Sequence, residues 1–272
     1  MPRFAANLSF LFDEVPFLER FGEAAHAGFR AVEFAFGYDY RIDELVAQQR
    51  EHRLEVVLIN APPGDWDAGD RGLASLPGRE HEFAASIAIA LQYAKALGCT
   101  RIHVMAGVLP QDADDAERER RMRTYLRNLR FACTEAAALG VTILVEAINP
   151  RDMPGYLITT QAQAHGVRTE IGARNLKVQM DFYHAQIVEG DLTERYRRYA
   201  AHIGHVQIAG VPGRHEPDAG EVNYGYIFKM LDESKYDGWV GCEYRPAKGT
   251  ASGLTWLYRL LDRRPAVHKA PG

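Results

Sequence analysis

Basic patches are missing from this 272-residue chain. Its 32 lysines and arginines stand against 36 aspartates and glutamates, for a net charge of −4. A nucleic-acid partner usually leaves a basic footprint, so none is expected. Cysteine is scarce and scattered: Cys99, Cys133 and Cys242 form an odd count with no C-x-x-C pair. That pattern supports neither a disulfide framework nor a cysteine-based zinc site. No apolar run approaches the roughly 20 residues of a membrane span. Residues 1–12 carry Arg3 as their one basic side chain and no small-residue cleavage pattern, so they read as a first strand rather than a secretion signal. Cytoplasmic residence is the resulting expectation. Glycine is also absent from Asn7-Leu-Ser-Phe-Leu-Phe, where a doubly wound nucleotide-binding sheet would place its phosphate turn.

What the chain does have is a regular alternation of short apolar runs and longer helical patterns. Candidate strands fall at 3–7, 31–34, 54–60, 101–105, 142–146, 176–181, 203–208 and 239–243. The clearest helix spans 116–139, where Met122, Tyr125, Leu126, Leu129, Cys133 and Ala136 recur at three- and four-residue steps. Gly28, Gly98, Gly140 and Gly172 (or its neighbour Asn175) stand where helices should stop before the next strand. Eight strand–helix units predict a single (β/α)8 TIM barrel over 1–262, with 263–272 a frayed tail. Two connections, 61–80 and 209–224, are longer than packing requires. Both are rich in Gly, Pro and Asp, and both follow strand C-termini, where long loops carry function.

Four of the apolar runs end on an oxygen-bearing side chain: Glu146, Asp181, Gln207 and Glu243, at spacings of 35, 26 and 36 residues. In a barrel these ends meet on one face. Three carboxylates and an amide there predict a site for a hard divalent cation, Mg²⁺ or Mn²⁺, with positions left for two substrate oxygens. His205 and Gln179, two residues before Gln207 and Asp181, should point inward one layer below, His205 as a buried, hydrogen-bonded histidine. Cys242 should face away from the Glu243 side. His184, three residues after Asp181, is expected at the mouth as a substrate hydrogen-bond donor. The three carboxylates outweigh a divalent cation by one charge, so an anionic substrate needs a further cation. Arg214 is the first candidate and His215 the second. Asn60 and His103 are weaker candidates for lining the mouth.

The segments Phe4-Ala-Ala-Asn-Leu-Ser, Ala31-Val-Glu-Phe, Pro63-Gly-Asp-Trp, Val145-Glu-Ala-Ile-Asn-Pro, Met180-Asp-Phe-Tyr-His, His205-Val-Gln-Ile-Ala, Arg214-His-Glu-Pro and Gly241-Cys-Glu-Tyr together resemble the hydroxypyruvate isomerase family of xylose-isomerase-like barrels. The resemblance runs from about Pro2 to Arg259. It implies that Glu146 and Glu243 form the proton-transferring pair, that Glu146, Asp181, Gln207 and Glu243 hold the metal, and that His184 and Arg214 contact a small hydroxy-keto acid. It implies an aldose–ketose isomerisation between hydroxypyruvate and tartronate semialdehyde through an enediolate. Some members, the 2-oxo-tetronate isomerases, take an acid one carbon longer; Ala209-Gly-Val-Pro-Gly-Arg-His-Glu-Pro resembles that group, whereas Ile148-Asn-Pro-Arg-Asp-Met-Pro-Gly resembles the hydroxypyruvate isomerases. A ketose 3-epimerase is a more distant alternative. Such enzymes carry histidine where this chain has Gln207, and glutamate about where it has Asp152. A non-catalytic sugar-acid binding protein and an endonuclease of the same barrel group complete the alternatives. Barrels of this kind commonly pair, which leaves a homo-oligomer open.

Overall fold

The computed structural model describes residues 1–261. The tail expected at 263–272 lies outside the described residues. Strands β1 (Arg3–Asn7), β2 (Ala31–Phe34), β3 (Glu55–Asn60), β4 (Arg101–His103), β5 (Thr142–Glu146), β6 (Leu176–Asp181), β7 (Ile203–Ile208) and β8 (Trp239–Cys242) pair in chain order. Every pairing is parallel, and β1 closes onto β8 through Arg3–Trp239, Phe4–Val240, Ala5–Gly241 and Ala6–Cys242. This is the expected TIM barrel.

Helices α1 (Arg20–His26), α2 (Ile42–Glu51), α3 (Glu80–Leu97), α4 (Asp115–Ala137), α5 (Gln161–Ile171), α6 (Phe182–Val188), α7 (Leu192–Tyr199) and α8 (Tyr224–Glu233) fill the connections, and α9 (Thr250–Gly253) and α10 (Thr255–Leu260) follow β8. In α4 the periodic residues Tyr125, Leu126, Leu129, Cys133 and Ala136 are buried, Met122 is half-buried, and Asp114 caps the first turn by accepting from the Glu117 amide. All four expected helix-stop glycines adopt positive φ, Gly98 and Gly172 as left-handed caps of α3 and α5.

The strands differ from expectation at their ends. β4 stops at His103 because the chain then leaves the sheet: the Ala106 amide donates to the Tyr156 hydroxyl and its carbonyl accepts from Ser75. Glu243 lies one residue past β8, its amide still donating to the Ile208 carbonyl.

Alternation sorts each strand between barrel interior and helix layer. Phe4, Ala6, Val32, Phe34, Val178 and Val206 join the large apolar cluster beneath the helices. Ala5, Ala31 and Val57 form a small separate cluster against Trp239. Above it lies a buried polar layer comprising Asn7, Glu33, His103, Glu146, Gln179, Asp181, His205 and Gln207. That layer is the floor of the functional face.

Candidate active site

The polar layer is organised around Glu33, which is fully buried. Its carboxylate is paired with His205 Nε2 at 2.6 Å and accepts from Gln207 Nε2 at 2.7 Å and Asn7 Nδ2 at 2.9 Å. Gly241 on β8 is what makes room: a Cβ there would lie 2.3 Å from Glu33 Oε1. Because Glu33 only accepts, it turns the Gln207 NH₂ towards itself and leaves Gln207 Oε1 facing Gln179, whose Nε2 donates to it at 2.6 Å. His205 and Gln179 thus lie one layer down, as their sequence positions predict.

Above this layer a cavity of about 770 Å³ opens at the strand C-terminal face. Glu146, Glu243, His184, His103, Asn60 and Arg214 line it, and Asp181 is buried beside it. Glu146 ends β5. Its Oε1 is buried without a hydrogen-bond partner, and Oε2 lies 3.6 Å from His103 Nε2. Asp181 ends β6 and caps α6, Oδ1 accepting from the Tyr183 amide at 2.8 Å. Its other oxygen lies 3.6 Å from His184 Nε2 and has no hydrogen bond. Glu243 accepts from Arg214 and from Asn7 Nδ2, the latter at 3.2 Å.

Three carboxylates of this group hold their protons unusually well. Burial, reinforced by Glu243 and Asp181, pushes Glu146 well above the usual carboxylate range. Burial pushes Glu243 up to about 8 against the opposing pull of Arg214, and Asp181 up to about 6. The histidines move the other way. Burial brings His103 down to about 3, and burial together with Arg214 and His103 holds His184 well below the imidazole range.

A neutral imidazole has one N–H, and Asn149 decides where it is. Asn149 Oδ1 accepts from the amides of Arg151 (3.0 Å) and Asp152 (2.9 Å), so its NH₂ faces His184 Nδ1 at 2.6 Å. Nδ1 therefore accepts, and the proton resides on Nε2, the nitrogen on the Asp181 side.

The residues fit a divalent cation. Carboxylate oxygens of Glu146 and Asp181 lie within 4.8 Å of each other, with the His184 ring beside them. The orphaned Glu146 Oε1 and Asp181 Oδ2 are the hard oxygen donors such an ion needs, since a buried carboxylate oxygen without a partner is costly.

Of the residues expected at this face, Glu146, Glu243, His184, His103, Asn60 and Arg214 line one cavity with Asp181 beside it. Gln207 lies beneath it, both ends of its amide engaged. His215 is a correction: it is exposed, its Nδ1 is on the Arg245 carbonyl at 2.8 Å, and it is no part of the cavity wall. The antiparallel bridge between Gly210 and His215 turns the ring outward. Glu33 and Asn149 had no role in the sequence reading. A lone acid inside the apolar run Ala31-Val-Glu-Phe was the available signal for Glu33. Nothing comparable marks Asn149, whose function is set by a partner 35 residues away.

Residues 21–260 match the family described as xylose isomerase-like TIM barrel. The chain belongs to that family. It is similar to a 2-oxo-tetronate isomerase of Cupriavidus necator, 57% identical over 97% of this chain and 100% of that protein. It is also similar to a hydroxypyruvate isomerase of Escherichia coli, 46% identical over 94% of this chain and 98% of the other. A solved structure described as an AP endonuclease, family 2, from Brucella melitensis superposes with a TM-score of 0.92 at 50% identity, covering 95% of this chain and 99% of that one. A 3-keto-D-glucoside 4-epimerase of E. coli superposes with a TM-score of 0.79 at 24% identity, covering 95% and 99%, a likeness of fold alone.

Proposed function

We propose that this chain is an aldose–ketose-type isomerase of a small 2-oxo-3-hydroxy acid, interconverting hydroxypyruvate and tartronate semialdehyde. The observation that carries the reading is that Glu146 and Glu243, from strands separated by two others, line one cavity, both with proton affinities raised above the ordinary carboxylate range and Glu243's to about 8. A group that takes and returns a proton near pH 7 works best with an affinity in that range. The similarity to proteins named hydroxypyruvate isomerase and 2-oxo-tetronate isomerase supports the same chemistry.

In the isomerisation, a proton leaves C3 and one reaches C2, while the carbonyl moves from C2 to C3 through a shared enediolate. One of Glu146 and Glu243 removes the first proton, and the same residue or the other delivers the second. His184 presents Nε2–H to the substrate oxygens as a neutral donor. A divalent cation, Mg²⁺ or Mn²⁺, held by Glu146 and Asp181 with Glu243 as a further oxygen donor, would supply electrostatic stabilisation of the charge that develops on those oxygens, while Gln207, its amide engaged by Gln179 and Glu33, supports the layer beneath. Burial keeps water from competing for these groups. The buried free thiols Cys99, Cys133 and Cys242 suit a cytoplasmic setting.

A second reading has its own observation: the relative at 57% identity is named a 2-oxo-tetronate isomerase. That acid differs by one hydroxymethyl group on C3, and the enediolate is the same. Assaying hydroxypyruvate and 2-oxo-tetronate side by side, before and after chelator treatment, separates the two. Turnover of neither acid, with cleavage of abasic-site DNA instead, would overturn the isomerase reading.

A further inference from the structure

The sequence assigns the substrate's carboxylate to Arg214, but the structure commits that guanidinium elsewhere. Arg214 Nη2 bonds Glu243 and lies 3.9 Å from Asp181, while Nη1 is 3.3 Å from Asp152. Asp152, Asp181 and Glu243 thus surround Arg214, and its guanidinium is already engaged by the protein's own carboxylates. A substrate anion entering this cavity needs a cation that is not already paired.

We infer that Arg71 holds the carboxylate of the substrate. It lines the same cavity as Glu146 and Glu243. No carboxylate lies within ion-pair distance of it among the described residues. One edge of its guanidinium is fixed: Nη1 donates to the carbonyls of Trp66 (2.8 Å) and Asp70 (2.7 Å), and the plane lies over the Trp66 ring at 3.9 Å. The remaining N–H groups are left for a ligand, in the planar arrangement that matches a carboxylate.

The segment that carries Arg71 is itself seated firmly. Asp70 accepts from the Asp65 amide and from Arg79 Nη1, each at 2.8 Å, tying the two ends of the 61–80 connection together. Gly72 has a φ of +117°, and a Cβ there would lie 2.3 Å from the Met105 carbonyl oxygen, so the backbone beside Arg71 rests directly on the chain leaving β4. Arg151 and Arg245, the other arginines of the cavity wall, are exposed, and neither has such an anchorage. A pre-set cation loses little freedom on binding, which favours recognition by Arg71.

This inference rests on the substrate being a hydroxy-keto acid, and its test separates the two. Steady-state rates are compared for hydroxypyruvate and for dihydroxyacetone, in which a hydroxymethyl group replaces the carboxylate. R71A should raise KM for the acid on the order of 10- to 100-fold with kcat nearly kept, should leave kcat/KM for the neutral ketone unchanged, and R71K should recover part of the loss. An equal loss on both compounds would mark Arg71 as structural and overturn the inference, as would no loss, or the same selective loss in R151A or R245A instead. Calorimetry with glycerate, which cannot isomerise, gives the answer even if neither acid turns over. Glycerate binding weakened in R71A supports the inference. Binding equal in both proteins, or absent from the unaltered protein, overturns it.

Discussion

Asn149 Nδ2 approaches His184 Nδ1 at 2.6 Å, and this contact sets which nitrogen of the histidine carries its proton. Two backbone amides hold the Asn149 oxygen, so the amide cannot turn over without losing both bonds. The N149D variant would offer an acceptor in place of the donor and draw the proton to Nδ1. Turnover should fall on the order of 100-fold, as expected when a general acid–base contact is lost. The ¹⁵N shifts of the His184 ring should exchange their protonated and unprotonated values. Unchanged ring shifts would remove this assignment.

E146Q and E243Q each remove a proton carrier while keeping shape. Each should lower kcat by about 100-fold or more, with the circular dichroism spectrum unaltered. Solvent deuterium incorporation at C2 and C3 is the decisive measurement. The double variant should lose little beyond the worse single one, because groups acting as a unit are not additive. Normal exchange in both single variants would end the role given to the pair.

Stability of the chelator-treated protein should fall as pH rises above neutrality. In the unfolded chain the carboxylates are fully ionised there, whereas folded Glu243 titrates at about 8 and Glu146 also holds its proton tightly. The folded state therefore binds more protons, and raising the pH removes that advantage. His103 and His184 act oppositely, with folded affinities below the free value of 6.5, so their effect is confined to the acid side. The thermal midpoint should decline between about pH 6.5 and 8.5, less steeply in E243Q. A midpoint that climbs through this range would contradict the burial of these charges.

Adding Mn²⁺ or Mg²⁺ should reverse that decline and raise the thermal midpoint, since a ligand that binds only the fold stabilises it. Chelator treatment should abolish activity, and either ion should restore it. D181N, which halves the charge on the orphaned oxygens, should need higher metal concentrations for the same recovery. Full activity after exhaustive chelation would show that the carboxylates work without an ion.

G241A places a methyl group against the Glu33 carboxylate. Overpacking of this kind costs about 1–3 kcal/mol, which for a chain of this size lowers the thermal midpoint by several degrees. The shorter acid in E33D should relieve part of it in the double variant.

Much of this architecture was legible in the chain. Short apolar runs ending on Glu146, Asp181, Gln207 and Glu243 at the stride of strand–helix units announced a barrel and its working face, because an apolar run and the residue that ends it are local features. Helix stops at Gly98 and Gly172 were equally local. What escaped was set by distance: Glu33 acquires its partners from β1 and β7, and Asn149 from the first turn of α6. His215 was misplaced because its adjacency to Arg214 says nothing of a reversing bridge between them and the wall. The commitment of Arg214 to three carboxylates likewise depends on β5, β6 and β8 exits meeting, which composition does not encode.

Glu33 starts on β2, bonds Asn7 of β1 and two side chains of β7, and lies over Gly241 of β8. It therefore spans the seam where the first and last strands of the chain meet. While that seam is open the carboxylate lacks its two partners from β7 and keeps only Asn7 of β1, so partly assembled rings gain little from it. Only the completed circle satisfies it, so the group rewards closure of the ring.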